Sequence, residues 1–108
     1  MDTRILGTTQ EDIREAARIL MNKGLVAFPT ETVYGLGANA LCEEAVAKVY
    51  QAKGRPSDNP MIVHIACMEQ FCKLTYDITE DMKKLADTFW PGPLTMVVPA
   101  RDEVPRIT

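Results

Sequence analysis

Amphipathic helix patterns alternate with short apolar runs along this chain, and that alternation restricts its fold more than any other feature. Ile13, Ala16, Ala17, Leu20 and Met21 recur at helical spacing behind Thr8 or Thr9, either of which can cap a helix. Asp12 completes a box-like arrangement after Thr9, and Gly24 is placed to end the helix. Leu25-Val26-Ala27-Phe28 reads as a short buried strand stopped by Pro29. Residues 30–40, with Gly35 and Gly37, read as a shaped loop with some extended backbone. The next helix spans Glu43 to Lys53, with Ala45, Val46, Val49 and Tyr50 as its stripe and Cys42 one turn earlier; Gly54 and Pro56 stop it. Met61 to Ile65 is a compact strand and Met68 to Leu74 a short helix. Thr79 caps a further helix through Phe89, and Trp90-Pro91-Gly92-Pro93 turns the chain into the strand Leu94 to Val98.

This order, α-β-α-β-α-β, specifies an α/β layered domain with helices packed on a sheet. Three strands are few for a sheet. Residues 99–108 are polar and, on this reading, close nothing. Residues 1–108 are therefore expected to be the N-terminal part of a single larger domain, its sheet incomplete.

The composition narrows the function classes. A formal charge of −3 on 108 residues gives no general basic footprint for nucleic acid, although a local patch stays open. Asp2 and Arg4 with no apolar run behind them do not make a signal peptide. No apolar run approaches the roughly 20 residues that span a bilayer. Cys42, Cys67 and Cys72 form no C-x-x-C pair, so they read as buried reduced thiols of a cytoplasmic protein and not as zinc ligands.

The densest chemistry lies at Lys53-Gly54-Arg55-Pro56-Ser57-Asp58-Asn59. An ammonium, a guanidinium, a hydroxyl and an amide follow one another on a bent backbone. A triphosphate wants this set: lysine as a point charge, arginine as a bidentate fork, serine and asparagine as neutral donors. The same residues also suit a plain helix C-terminus, where cations favour the negative end of the dipole. Residue chemistry alone leaves both readings standing. The stretch is not a P-loop, because no G-x-x-x-x-G-K-[ST] occurs. Gly35-Leu36-Gly37-Ala38-Asn39-Ala40 satisfies G-x-G-x-x-A, but it neither follows its strand directly nor opens a helix, as a dinucleotide site requires.

Two further features could meet a small polar ligand. Pro29-Thr30-Glu31-Thr32-Val33-Tyr34-Gly35-Leu36 offers hydroxyls, a carboxylate and a phenol just after a strand. Threonine and tyrosine are equally good strand residues, and Tyr34 suits the core. His64 alternates onto the face of Ile62, opposite Met61, Val63 and Ile65. A lone strand histidine is commonly structural; its place just after the basic turn keeps a ligand role open.

Taken together, Phe28 to Gly37, Lys53 to His64 and Phe89-Trp90-Pro91-Gly92-Pro93-Leu94-Thr95 resemble the YrdC/TsaC-type threonylcarbamoyl-adenylate synthases in order and spacing. The resemblance spans nearly the whole chain. It implies an α/β fold with a twisted mixed sheet flanked by helices. It also implies synthesis of L-threonylcarbamoyl-adenylate from L-threonine, bicarbonate and ATP, with release of pyrophosphate. ATP is then a substrate, contacted by Lys53, Arg55, Ser57 and Asn59, and Mg²⁺ bridging the phosphates is expected. Thr32 and His64 match positions that line the threonine pocket. The expected partners are proteins that transfer the threonylcarbamoyl group to tRNA. A second reading keeps the surface but makes it a double-stranded RNA or tRNA-binding module, with Lys48, Lys53 and Arg55 on the phosphates.

Overall fold

A hairpin, not a broad sheet, supplies the strands among the described residues of the computed structural model, which describes residues 3–54 and 61–108. The elements in order are α1 (Gln10–Met21), β1 (Val26–Pro29), β2 (Tyr34–Gly37), α2 (Glu43–Lys53), α3 (Met68–Leu74) and α4 (Glu80–Phe89). Among the described residues the sheet is the antiparallel pair β1–β2, in the register Val26 with Gly37, Ala27 with Leu36, Phe28 with Gly35 and Pro29 with Tyr34. Helices and sheet give the α/β class that the alternation specifies.

Caps set the helix starts. Thr9 caps α1, its hydroxyl accepting from the Asp12 amide at 3.1 Å. The Asp12 carboxylate reaches past Thr9 and accepts from the Gly7 amide at 3.0 Å, fixing the approach to the helix. At α1's other end Lys23 takes the left-handed conformation (φ 66°), and the Gly24 amide closes on the Ile19 carbonyl at 2.8 Å. Thr79 caps α4 in a reciprocal box with Met82, whose sulfur receives the Thr79 amide. The Arg4 and Arg18 guanidiniums both bind Glu15, at 3.0 and 2.6 Å, and hold its carboxyl below the usual carboxylate range. These exposed pairs are worth little individually.

Helix α2 ends at Gly54, which is left-handed at φ 65° with nothing within 4 Å of where a Cβ would stand. Its glycine is required by the backbone and not by crowding. Gly54→Ala is therefore expected to cost about 1 kcal/mol, with asparagine costing less. The urea midpoint of each variant checks this.

The described core is small: Ala45, Val46, Val49 and Tyr50 from α2, Phe71 from α3 and Ala86 from α4. The α2 stripe is thus the one expected. Phe71 meets Trp90 edge to face at 5.2 Å between ring centres, a favourable aromatic geometry. The radius of gyration, 14.9 Å, exceeds the roughly 13 Å of a well-closed domain of this length.

Several expectations are corrected. The predicted strands Met61–Ile65 and Leu94–Val98 carry no ladder among the described residues, although exposure alternates along both: Ile62 is open and Val97 fully exposed. Periodicity foretold the alternating exposure but supplied no partner. The apolar face of α1 is not buried, since Ile13 and Met21 are exposed. Tyr34 lies on the surface instead of in the core. The cysteines are free thiols, but Cys67 and Cys72 are exposed and Cys42 is half-buried.

Residues 99–108 do close something. Thr75, fully buried, gives its hydroxyl to the Pro99 carbonyl, and Thr75 and Ala100 form an antiparallel bridge. The Arg101 Nε donates to the carbonyls of Cys72 at 3.2 Å and Thr75 at 2.7 Å. Further on, the Tyr50 hydroxyl binds the Ile107 carbonyl at 3.1 Å and the Thr108 hydroxyl binds that of Ala40 at 2.9 Å. A polar segment can fasten a core because its polar groups meet main-chain carbonyls that would otherwise be buried without partners.

Candidate functional site

The turn between β1 and β2 carries the first predicted ligand residue. Its shape is set by Thr30: the Thr30 amide donates to the Val33 carbonyl at 3.2 Å, and the Thr30 hydroxyl accepts from the amides of Thr32 at 3.3 Å and Val33 at 3.2 Å. The same hydroxyl also donates to the Val33 carbonyl. A threonine that folds its hydroxyl onto the following amides is a local turn-maker. Thr30 thereby takes the structural duty, while Thr32 enters that network through its amide and keeps an exposed side chain. Of the hydroxyls in this stretch, Thr32 is thus the better placed to meet a ligand.

His64 lies beside the same hairpin. Its ring stands 6.3 Å from that of Phe28 on β1, inclined by 74°. Its Nδ1 lies 3.1 Å from the Ile62 carbonyl. A carbonyl only accepts, so Nδ1 carries the proton and Nε2 is left as the nitrogen for a partner. As alternation predicts, His64 shares the exposed face of Ile62. The structure thus attaches Thr32 and His64 to one hairpin, Thr32 through its turn and His64 through Phe28.

Lys53 is the last residue of α2 and is exposed, immediately before the left-handed Gly54. Arg55, Ser57 and Asn59, the other three predicted ATP contacts, lie outside the described residues. Lys48, invoked for RNA phosphates, gives its ammonium to the Lys23 carbonyl at 2.9 Å. Lys23 in turn binds Glu44 at 2.9 Å, which raises the lysine and lowers the carboxyl from their ordinary values. This knot of charge ties the end of α1 to α2, and Glu44 offsets the charge of Lys23. Among the described residues no three metal-ligating side chains come together.

Sequence reasoning did not show how Phe28 sits against this hairpin. The signal lay in Gly35 and Gly37. A Cβ at Gly35 would stand 2.9 Å from Cζ of Phe28, and one at Gly37 would stand 3.0 Å from its Cε1. The two glycines make the bed on which the Phe28 ring lies. That gives the G-x-G spacing a packing purpose. It also agrees with rejecting the dinucleotide reading, since both glycines sit on β2 and the next helix starts only at Glu43.

Comparison with known proteins is consistent with this layout. Residues 18–108 match the family model Sua5/YciO/YrdC, described as telomere recombination. A threonylcarbamoyl-AMP synthase of Pyrococcus abyssi is 58% identical over 95 residues, covering 88% of this chain and 28% of its own length. One from Bacillus subtilis is 52% identical over 105 residues, covering 95% and 30%. The crystal structure of P. abyssi Sua5 complexed with L-threonine superposes with a TM-score of 0.86 at 54% identity, over 97% of this chain and 30% of that one. The chain thus spans less than a third of the length of these relatives. With a family model matching most of its length, the chain belongs to the Sua5/YciO/YrdC family.

Proposed function

We propose that this chain contributes the substrate-gripping part of an L-threonylcarbamoyladenylate synthase, a nucleotidyltransferase acting on L-threonine, bicarbonate and ATP. The observation that carries this reading is the agreement with the threonine complex of P. abyssi Sua5, at 54% identity across 97% of the chain. In the reaction the threonine amine and bicarbonate give a carbamate and water. A carbamate oxygen then attacks the α-phosphorus of ATP, the bond to the bridging oxygen breaks, and pyrophosphate leaves with its electron pair.

Little covalent work falls to the protein in such a transfer, so positioning and charge stabilisation dominate. Arg55 would clamp phosphate oxygens in a bidentate fork, Lys53 would add a point charge, and Ser57 and Asn59 would donate neutral hydrogen bonds. Thr32 and His64 would hold the amino acid, His64 through Nε2. Mg²⁺ suits this chemistry as the ion that arrives on the triphosphate, because it keeps most of its ligands as phosphate and water oxygens. The product's acceptor would be tRNA, reached through separate transfer proteins in the cytoplasm. Direct RNA binding is the weaker reading, given a charge of −3 and the engagement of Lys48 and Lys23.

The test is a chimera in which residues 18–108 replace the matching stretch of the P. abyssi synthase. Pyrophosphate release should need both threonine and bicarbonate. Release that ignores either co-substrate would sink the proposal. A salt titration of tRNA binding addresses the RNA reading, which predicts affinity falling steeply with ionic strength.

A further inference from the structure

We infer that Phe28 is a positioning residue for the amino-acid half of the site: seated on Gly35 and Gly37, its ring holds the His64 imidazole in the orientation that binds threonine. This rests on the reading above of His64 as a threonine contact. Three observations carry it. Phe28 stands opposite Gly35 in the β1–β2 register, and its Cζ and Cε1 occupy space that a Cβ at Gly35 or Gly37 would invade. The ring therefore lies across β2 in a seat that any other residue at those positions would narrow. Next, the His64 ring meets Phe28 edge to face at 6.3 Å and 74°, within the range where aromatic pairs attract. Finally, the His64 side chain is exposed, and among the described residues its ring is also held by the Ile62 carbonyl at 3.1 Å.

One hydrogen bond to a carbonyl two residues away fixes the tautomer and restrains the ring at Nδ1. The contact with Phe28 adds a restraint from a second direction. A ligand using Nε2 then finds an imidazole already oriented and is spared the cost of ordering it. Phe28 touches neither substrate in this account; it acts through His64. Its effect falls on threonine and not on ATP, whose predicted contacts lie at Lys53 to Asn59.

His64 is the sole histidine of the chain, so its ring protons are identified without ambiguity. In the 108-residue chain, a nuclear Overhauser contact between the His64 and Phe28 rings is expected. Phe28→Leu should return the imidazole resonances to those of a free histidine. Gly35→Ala, which leaves the phenylalanine but displaces it, should move them as well. Calorimetry on the chimera with the P. abyssi synthase should then give threonine binding roughly tenfold weaker in both variants, about the value of one lost aromatic pair, with ATP binding within about twofold of the unsubstituted chimera. Threonine affinity unchanged in a folded Phe28→Leu variant overturns the inference. So does a wild-type spectrum without the ring-to-ring contact, whether or not either variant folds. A chimera that keeps the contact yet binds threonine as tightly with His64→Ala as without it overturns the role given to His64 instead.

Discussion

Phe71→Ala is expected to destabilise the protein by about 3–5 kcal/mol, the usual cost of emptying a buried aromatic site. Phe71 is 4% exposed and is one of two aromatic side chains in a described core of six residues. Its ring also supports Trp90, whose indole Nε1 donates to the Leu94 carbonyl at 2.9 Å. Removing it opens a cavity and releases the turn that leads from α4 into residues 94–98. Since whole domains are stable by only about 5–15 kcal/mol, most of the molecules should be unfolded well below the wild-type midpoint. Phe71→Leu, which keeps most of the volume, should cost about 1.5 kcal/mol or less. Trp90 is the single tryptophan, so its fluorescence in a urea titration reads both variants directly. Equal midpoints for alanine and leucine would remove Phe71 from the centre of the core.

The second large effect is functional. Arg55→Ala should weaken ATP about 10- to 100-fold, the loss expected when a charge-assisted phosphate contact goes, while threonine affinity changes little. Lysine should recover part of the loss, because it restores the charge without the bidentate fork. Calorimetry with each ligand separately decides the matter. Equal losses for both ligands would contradict a phosphate role. Against Phe28→Leu, the two variants form a crossed pair: one should impair the nucleotide and the other the amino acid.

Much of the architecture is legible in the sequence. Thr9 and Thr79 announce their helices because a capping hydroxyl is a local device, complete within four residues. The α2 stripe is legible for the same reason: Ala45, Val46, Val49 and Tyr50 state their common face through spacing alone. What failed to show was every feature that depends on distant partners. The alternation in residues 61–65 and 94–98 fixes which side chains share a face, yet it carries no information about a neighbouring strand. The pairing of β2 was hidden by its glycines, which weaken a strand pattern and make sense only once Phe28 lies over them. Arg101 and Thr75 fasten side chains to main-chain carbonyls, a kind of bond that leaves no trace in hydrophobic periodicity. For the site, the residue types at Thr32, Lys53 and His64 were visible. The seat of Phe28 was not, since a phenylalanine in an apolar run reads as core whatever stands beside it.

The fastening of residues 99–108 has a consequence for how the chain is made. Tyr50 is tied to Ile107, Thr75 to Pro99 and Ala40 to Thr108, so the segment that secures the central helices is synthesised after all of them. Closing such long loops demands entropy that local helix formation does not. At a translation rate of about 5–20 residues per second, α2 and α3 emerge seconds before the residues that fasten them. Until then α2 and α3, of 11 and 7 residues, are too short to hold as helices by themselves, and the apolar stripe of α2 stays uncovered.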